Sequence, residues 1–380
     1  MSRENPHFHS IQTNRPMQMS NASNNPASTG QQNNPMLQPR SFRKRLLRAM
    51  FWMVAFAVMA SLALAAAVTQ PFVSPVRYQS PSVDAARLAA HVKHLSVDLF
   101  PRSSDRLDNT KRVAEYIVSQ FKTAGAVVSI QDVMVRGVKY KNIIARFGPQ
   151  NGALIVVGAH YDSHGDAAAG ALYPGGFTAH THTPGADDNA SGVAGLIELA
   201  HLLGQQPPSR AVELVAYALE EPPHFRTEHM GSVRHARSLA TSKRDVELML
   251  SLEMIGFFSD VPGSQSFPVP AMQYLYPDRG NFIALVGELG DVANMRRAKA
   301  LMSGGSDMPV YSINAPAMLP GIDFSDHRSY WGEGYPALMV TDTAFFRNAH
   351  YHRASDSHEK LDYRRMAQVV QSVFALVQQY

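Results

Sequence analysis

Short apolar runs recur along the second and later thirds of the chain, and each is bounded by turn-forming or charged residues. The run Ala153–Ala159 has no charged side chain, which is typical of a strand covered on both faces of a sheet. Six runs of strand length are predicted to form strands: Val127–Val135, Asn142–Phe147, Ala153–Ala159, Ala211–Leu219, Met249–Met254 and Ala337–Thr341.

Apolar residues at helical spacing predict helices between and beside these strands. The predicted helices are Val83–Val97, Lys111–Thr123, Ser191–Leu203 and Tyr363–Gln379. Strands that alternate with helices are typical of α/β domains. The pattern therefore predicts an α/β fold with a central, mostly parallel sheet.

The N-terminal part follows a different pattern. Residues 1–40 are rich in Asn, Gln, Ser and Pro, and we expect them to be disordered because they can bury little apolar surface. Residues 41–48 form a basic cluster, and residues 49–68 carry no charge. A helix of that length spans a hydrocarbon core of about 30 Å. We therefore expect a transmembrane signal anchor at 49–68, a proline-containing linker at 69–82 and a folded domain at 83–380.

The basic cluster precedes the apolar run, which predicts a cytoplasmic N-terminus and a domain outside the cytoplasm, periplasmic or extracellular. Two alternatives stay open. The run could be a buried core helix, or it could be a signal peptide cleaved near Ala63-Leu64-Ala65, which would release a secreted protein. The long region before the run favours an uncleaved anchor.

The amino-acid composition excludes several kinds of catalytic and binding site. The chain has 380 residues, of which 45% are apolar, so it can build a substantial core. It has no cysteine, which excludes thiol catalysis, cysteine zinc sites and disulfides. The net charge is only +4, and no basic stripe with interleaved aromatic residues occurs, so we expect no nucleic-acid partner.

Histidine and acidic side chains collect at the ends of three predicted strands and in two loops. They are His160 and Asp162, Asp187 and Asp188, Glu220 and Glu221, Glu253, and His352. In open α/β sheets, ligands bind outside the carboxyl ends of the strands. Imidazole and carboxylate groups suit zinc, and a shared carboxylate lets such a set hold two ions. The sequence therefore predicts two Zn²⁺, although other divalent metals would fit similar donors.

Six short motifs extend this set of residues in chain order. They are Gly-Ala-His-Tyr-Asp-Ser (158–163), Pro-Gly-Ala-Asp-Asp-Asn-Ala-Ser-Gly (184–192), Ala-Leu-Glu-Glu (218–221), Ser-Leu-Glu-Met-Ile-Gly (251–256), Ser-Asp-His (325–327) and Tyr-His-Arg-Ala-Ser-Asp (351–356). As a set they resemble the di-zinc aminopeptidases of metallopeptidase family 28, over roughly Val83 to Tyr380. The resemblance implies a zinc-exopeptidase-like, mixed, mostly parallel sheet of eight strands flanked by helices.

The same resemblance implies roles for individual residues. Asp188 would bridge the two ions, and Glu220 would be the general base. Glu253 stands where many members have aspartate. Asp162 lies two residues after His160 and is expected to orient its ring. The metal ligands implied are His160, Asp188, Glu221, Glu253 and His352.

For other polar residues, the sequence suggests a position in or near the site without a defined role. Asp326 and His327 of the Ser-Asp-His motif, with Tyr330, are candidate substrate-pocket residues. Further histidines are expected at the rim of the site or on the surface: His164, His180, His182, His224, His229 and His235.

The favoured function is a membrane-anchored zinc aminopeptidase that acts on a peptide or aminoacyl substrate. Three alternatives stay open: a carboxypeptidase or N-acyl-amino-acid hydrolase, a glutaminyl cyclase-like aminoacyltransferase, and a non-catalytic domain of the transferrin-receptor type. The last would have lost ligands or the base, whereas Glu220 and all five ligand positions are present here.

Overall fold

The computed structural model describes residues 39–165 and 182–380, and these carry eight helices and eight strands. The helices are Pro39–Thr69 (α1), Ala85–Lys93 (α2), Leu107–Thr123 (α3), Gly192–Gln205 (α4), Gly231–Thr241 (α5), Val292–Gly305 (α6), His327–Trp331 (α7) and Tyr363–Gln379 (α8). The strands are Val127–Val135 (β1), Val138–Phe147 (β2), Leu154–His160 (β3), Ala211–Tyr217 (β4), Val246–Glu253 (β5), Ile283–Gly287 (β6), Val310–Asn314 (β7) and Ala337–Thr341 (β8).

All eight strands form one mixed sheet in the order β1-β2-β4-β3-β5-β8-β6-β7. The central strands β4, β3, β5 and β8 run parallel to one another. Antiparallel pairing brings β1 and β2 to one side and β6 to the other. The predicted α/β class with a mixed, helix-flanked sheet is confirmed.

The alternation of side chains along β3 explains why the sheet is covered on both faces. Ile155 and Val157 pack into the larger apolar cluster, which includes residues of α2, α3, α4, α6 and α8. Leu154 and Val156 pack into a second cluster on the opposite face, with Ala236 of α5 and Tyr330 of α7. Because both faces are buried, the run that forms β3 is apolar without interruption.

Periodicity in the sequence predicts six of the strands within a few residues of their observed ends. It does not identify β6 and β7, which have five residues each. Runs of that length between turns give a weak periodic signal. The implied total of eight strands is nevertheless the observed one.

The chain divides into two units, Met1–Ala57 and Val58–Tyr380. The helix α1 is long and apolar enough over Phe42–Thr69 to cross a membrane, and the residues of its apolar window are not buried. It is therefore a candidate membrane anchor or signal. Within the second unit, Oγ of Ser312 and Nζ of Lys299 each donate a 2.9 Å hydrogen bond to the carbonyl oxygen of Thr69.

Candidate metal centre

Strand order explains why residues far apart in the chain meet at one edge of the sheet. His160 is the last residue of β3, and Glu253 is the last residue of β5. Glu220 and Glu221 follow β4 after a two-residue turn, in which Leu219 has a left-handed φ of 64°. Since β4, β3 and β5 are parallel neighbours, their carboxyl ends lie side by side.

The first group of metal-ligand side chains is His160, Asp188 and Glu253, hereafter group 1. Their ligand atoms all lie within 4.8 Å of one another, and all three residues are buried. Nε2 of His160 is 3.4 Å from Oδ1 of Asp188 and 3.4 Å from Oε2 of Glu253. Asp188 enters the group from the turn that precedes α4.

The second group lies on the other side of Asp188 and contains Glu221, His352 and His164, hereafter group 2. Their ligand atoms also lie within 4.8 Å of one another. Nε2 of His352 is 3.0 Å from Oδ2 of Asp188 and 3.4 Å from Oε2 of Glu221. Asp188 therefore turns one oxygen to each group, which is the geometry of a bridging carboxylate. The structure brings all five implied ligands together, and their ligation stays a prediction.

Glu220 lies beside group 1, and Asp162 holds it there. Oε2 of Glu220 is 3.9 Å from Nε2 of His160. The backbone N–H groups of Glu220 and Glu221 donate hydrogen bonds of 3.1 and 3.0 Å to the two carboxylate oxygens of Asp162. Nδ1 of His160 lies 3.1 Å from the carbonyl oxygen of Asp162. Asp162 thus positions both the imidazole and the paired glutamates.

The charges of this site do not balance within the protein, because four carboxylates face three imidazoles, and burial lowers the pKa of one of these, His164, to about 3. Burial raises the pKa of Glu220 well above its usual range and raises the pKa of Glu253. Burial, with the charge of Asp188, raises the pKa of Glu221 to about 7. Burial would lower the pKa of His352, but Glu221 and Asp188 raise it to about 10. Protons therefore accumulate in the site when no cation neutralises the carboxylates.

The donor set fits divalent cations. Nε2 of His160 and Oε1 of Glu221 are buried, and neither has a hydrogen-bond partner among the described residues. A buried polar atom without a partner is costly, and a metal ion would satisfy both atoms. Imidazole nitrogen with carboxylate oxygen is a common ligand combination for zinc. The two groups can therefore hold metal ions.

Arg102 fixes the backbone around the ligands, and no sequence motif indicated it. This side chain is fully buried and donates hydrogen bonds to the carbonyl oxygens of Tyr161, Pro184 and Gly185, at 3.0, 2.7 and 2.9 Å. It therefore ties the loop after His160 to the turn that carries Asp188.

Asp356 and Asp187 brace the same turn from two other directions. The carboxylate of Asp356 accepts hydrogen bonds from the backbone N–H groups of Asp187 and Asp188. The carboxylate of Asp187 accepts from the N–H of Gly256 and from the side chain of Asn348, at 3.0 and 2.8 Å. Asp356 belongs to the last sequence motif, but its position there gave no sign of this role.

The three predicted pocket residues lie at the start of α7 and within it. Asp326, His327 and Tyr330 are all fully buried. The Tyr330 hydroxyl is hydrogen-bonded to Tyr217 and His235, at 2.7 and 2.6 Å. None of the three lines the apolar cavity described next, whereas the Asp326 carboxyl interacts electrostatically with His160 and Glu253, so the pocket role stays a prediction.

An apolar cavity of about 90 Å³ opens beside Glu253. Its walls come from three distant segments and include Phe267, Tyr276, Phe282, Tyr311, Met339 and Phe346. Sequence reasoning missed this cavity because its walls are ordinary core-type residues, which become neighbours only in the folded chain.

Two histidines expected at the rim or surface are in fact buried. His164 is fully buried, and its ring centroid is 4.2 Å from that of His352. His235 is also buried, because α5 turns it into the second apolar cluster, where it meets Tyr330. His182, His224 and His229 are partly buried, and His180 lies outside the described residues.

Comparison with known proteins identifies a family and relatives that match this chain. The model of peptidase family M28 matches residues 142–377. Uncharacterized protein YfbL of Escherichia coli (strain K12) is 50% identical over 308 residues, which are 81% of this chain and 92% of that protein. Leucine aminopeptidase 1 of Grosmannia clavigera is 28% identical over 246 residues, 62% of this chain. The chain spans about half (52%) of that fungal protein's length.

Solved structures with the same fold include two kinds of enzyme. A glutaminyl cyclase from Bacteroides thetaiotaomicron, bound to N-acetylhistamine, superposes with a TM-score of 0.60 at 18% identity, covering 80% of this chain and all of that one. A Zn-dependent exopeptidase from Parabacteroides distasonis superposes with a TM-score of 0.58 at 19% identity, covering 79% and 100%. At these identities, the likeness describes the fold alone.

Proposed function

Because the chain belongs to peptidase family M28, we propose that it is a two-zinc aminopeptidase that hydrolyses the first peptide bond of a peptide or aminoacyl substrate. One observation carries the proposal. Groups 1 and 2 lie on either side of Asp188, whose two oxygens face one histidine each. Paired divalent ions in such a site acidify water and polarise the scissile carbonyl.

Glu220 is the general base of the proposed reaction. It takes a proton from the attacking water and passes one to the leaving amine. A base works best when its pKa lies near the working pH, and burial raises the pKa of Glu220 in that direction. Asp162 accepts the backbone N–H bond that aims this carboxylate, so Asp162 is a positioning residue in the mechanism.

For the N-terminal segment we propose an uncleaved anchor. The exposed apolar side chains of α1, such as Phe51 at 66% and Trp52 at 69%, suit contact with lipid. The basic residues before them favour a cytoplasmic N-terminus and an exported domain. Protease added to spheroplasts, in which the outer membrane has been opened, should digest the domain, and the undigested full chain should fractionate with membranes. Release of the domain in soluble form would instead indicate a cleaved signal peptide.

The function is tested by a substrate screen with wild type, Glu220→Gln and a control, Glu228→Gln. Glu228 lies on the same loop with an exposed side chain. We expect cleavage of substrates with a free amino group and no cleavage of N-blocked ones. Glu220→Gln should lower kcat by about 10²–10⁴-fold with unchanged metal content, whereas Glu228→Gln should have little effect.

The same screen discriminates the other functions. Cleavage of N-blocked substrates, or of C-terminal residues, would favour an acyl hydrolase or carboxypeptidase. Cyclisation of N-terminal glutamine without hydrolysis would favour a glutaminyl cyclase-like aminoacyltransferase. Full activity in Glu220→Gln would remove the proposed base.

A further inference from the structure

His164 is a buried imidazole that the proposed reaction does not use. It lies in the loop after β3, four residues beyond His160. Its ligand atom lies within 4.8 Å of those of Glu221 and His352. With zinc–ligand bonds of about 2 Å, ligand atoms of one ion are separated by up to about 4 Å. A shift of less than about 1 Å would therefore bring the His164 ring to the same ion as its two neighbours.

The backbone around His164 is built to hold the ring at this position. The carbonyl oxygen of His164 accepts hydrogen bonds from the backbone N–H and the hydroxyl of Thr183, at 3.0 and 3.3 Å. Gly165 follows, and a Cβ on it would lie 2.4 Å from Cβ of Ser103. The backbone at Gly165 therefore passes so close to Ser103 that only glycine fits. The hydrogen bonds from Thr183 fix the backbone of His164.

We infer that His164 is a fourth protein ligand of the ion in group 2, an inference that rests on the proposed two-ion function. Group 2 then offers four protein ligands: Asp188, Glu221, His352 and His164. Group 1 offers three: His160, Asp188 and Glu253. The two metal positions are unequal, although they share Asp188.

The unequal ligand number assigns different tasks to the two positions. A catalytic zinc site has three protein ligands and keeps one position open for water, so a fourth protein ligand makes the ion of group 2 the less accessible of the pair. Group 1 has the open position, and Glu220 lies beside it, 3.9 Å from His160. Group 2 holds its ion more tightly and fixes Asp188 and Glu221 for the chemistry at group 1.

Zinc affinity tests the inference without any measurement of activity. The full chain in detergent is stripped of metal and titrated with Zn²⁺ against a competing chelator. The variants are His164→Ala, the amide variant His164→Gln, and the control His201→Ala, a partly buried histidine on α4. Wild type and His201→Ala should show one tight and one weaker ion. In both His164 variants, the affinity for the tightly bound ion should fall at least about tenfold. That factor is the lower bound for losing a group that only supports a metal ligand.

Two further measurements keep the result interpretable. Circular dichroism and the unfolding midpoint of the metal-free variants establish that they are folded. If His164→Ala does not fold, the zinc affinity of His164→Gln is used instead. Co²⁺ in the tight position reports ligand number through its visible spectrum, which should change in both His164 variants and not in His201→Ala.

The outcomes separate this inference from the proposed function. If wild type binds two ions, but folded His164 variants bind both with unchanged affinity and an unchanged Co²⁺ spectrum, the fourth ligand is refuted and the two-ion peptidase stands. If wild type binds fewer than two ions, the proposed two-ion function fails, and the inference fails with it.

Discussion

Two polar clusters of this domain differ in how their buried carboxylates are paired. One is the metal-ligand cluster at the carboxyl ends of the strands. The other, hereafter the tyrosine cluster, consists of Arg146, Glu213, Tyr217, His235 and Tyr330. In the tyrosine cluster, Glu213 is paired by Arg146 at 2.8 Å and by His235 at 3.2 Å. The protein itself supplies the groups that pair with this carboxylate.

The pKa values follow this difference in pairing. Burial alone would raise the pKa of Glu213, but His235 and Arg146 outweigh it and lower the pKa below the usual value. In the metal-ligand cluster, burial raises the pKa of Glu220, Glu221 and Glu253, whereas at Asp188 the effect of burial is outweighed by His160 and His352, which lower its pKa. Burial is common to both clusters, so it is the shortage of protein cations that leaves Glu220, Glu221 and Glu253 with raised pKa values, as expected of a site that binds a cation.

The largest effect expected from a single substitution is at Arg102, the buried cation that faces the metal-ligand cluster. Arg102→Met leaves buried carbonyl groups without donors and removes a charge that offsets Asp356 and Asp188. The free energy of unfolding should fall by about 3–5 kcal/mol, as when one partner of a buried charged network is lost. Denaturant unfolding measures it, with the exposed Arg112→Met as control. Equal, small effects of both substitutions would show that Arg102 does not brace the site.

The comparison is sharpened by the same substitution in each cluster of the metal-free protein. Glu213→Gln should lower the free energy of unfolding by about 1–3 kcal/mol, because buried His235 loses a charged partner. Glu220→Gln should raise it at pH 7. The folded-state pKa of Glu220 lies above its ordinary value of 4.5, so its ionisation costs stability as the pH rises through 4.5 and above.

Urea titrations of both variants at pH 5 and pH 7 measure these opposite signs. The gain from Glu220→Gln should be smaller at pH 5, where the wild-type folded carboxyl keeps its proton. If both substitutions destabilise equally, the contrast between the clusters is wrong.

The smallest effect is expected at Ser325, whose hydroxyl donates a 2.7 Å hydrogen bond to Oε2 of Glu253. Ser325→Ala should cost about 0.5–1.5 kcal/mol of stability, the net value of one hydrogen bond. It should also weaken zinc binding about tenfold, because Glu253 loses the group that orients it. Ser238→Ala, on the exposed face of α5, is the matched control. Unchanged zinc affinity in Ser325→Ala would remove this supporting role.

The sequence predicts that some of these residues meet, because they lie at strand ends. His160 and Glu253 terminate apolar strands, and parallel neighbours place such residues together regardless of their separation in the chain. The sequence predicts the support of the site poorly. Arg102 acts on backbone carbonyl groups, which no residue pattern reveals.

His164 and the apolar cavity escaped prediction for related reasons. A histidine in a polar loop is expected to be exposed, but His164 is buried, and its carbonyl oxygen is hydrogen-bonded to Thr183. The walls of the cavity, among them Phe282 and Met339, have the composition of any core. Both depend on distant backbone segments coming together, and a single sequence contains no signal for that.

Metal content tests the central claim most directly, because the excess of carboxylates is the reason to expect cations. Wild type and Asp188→Asn are equilibrated with Zn²⁺, passed through a desalting column and analysed by elemental mass spectrometry. The account predicts two zinc ions per wild-type chain and fewer than one per Asp188→Asn chain, since Asp188 serves both groups. Wild-type protein that is folded yet retains no zinc, or Asp188→Asn that still retains two, would contradict it.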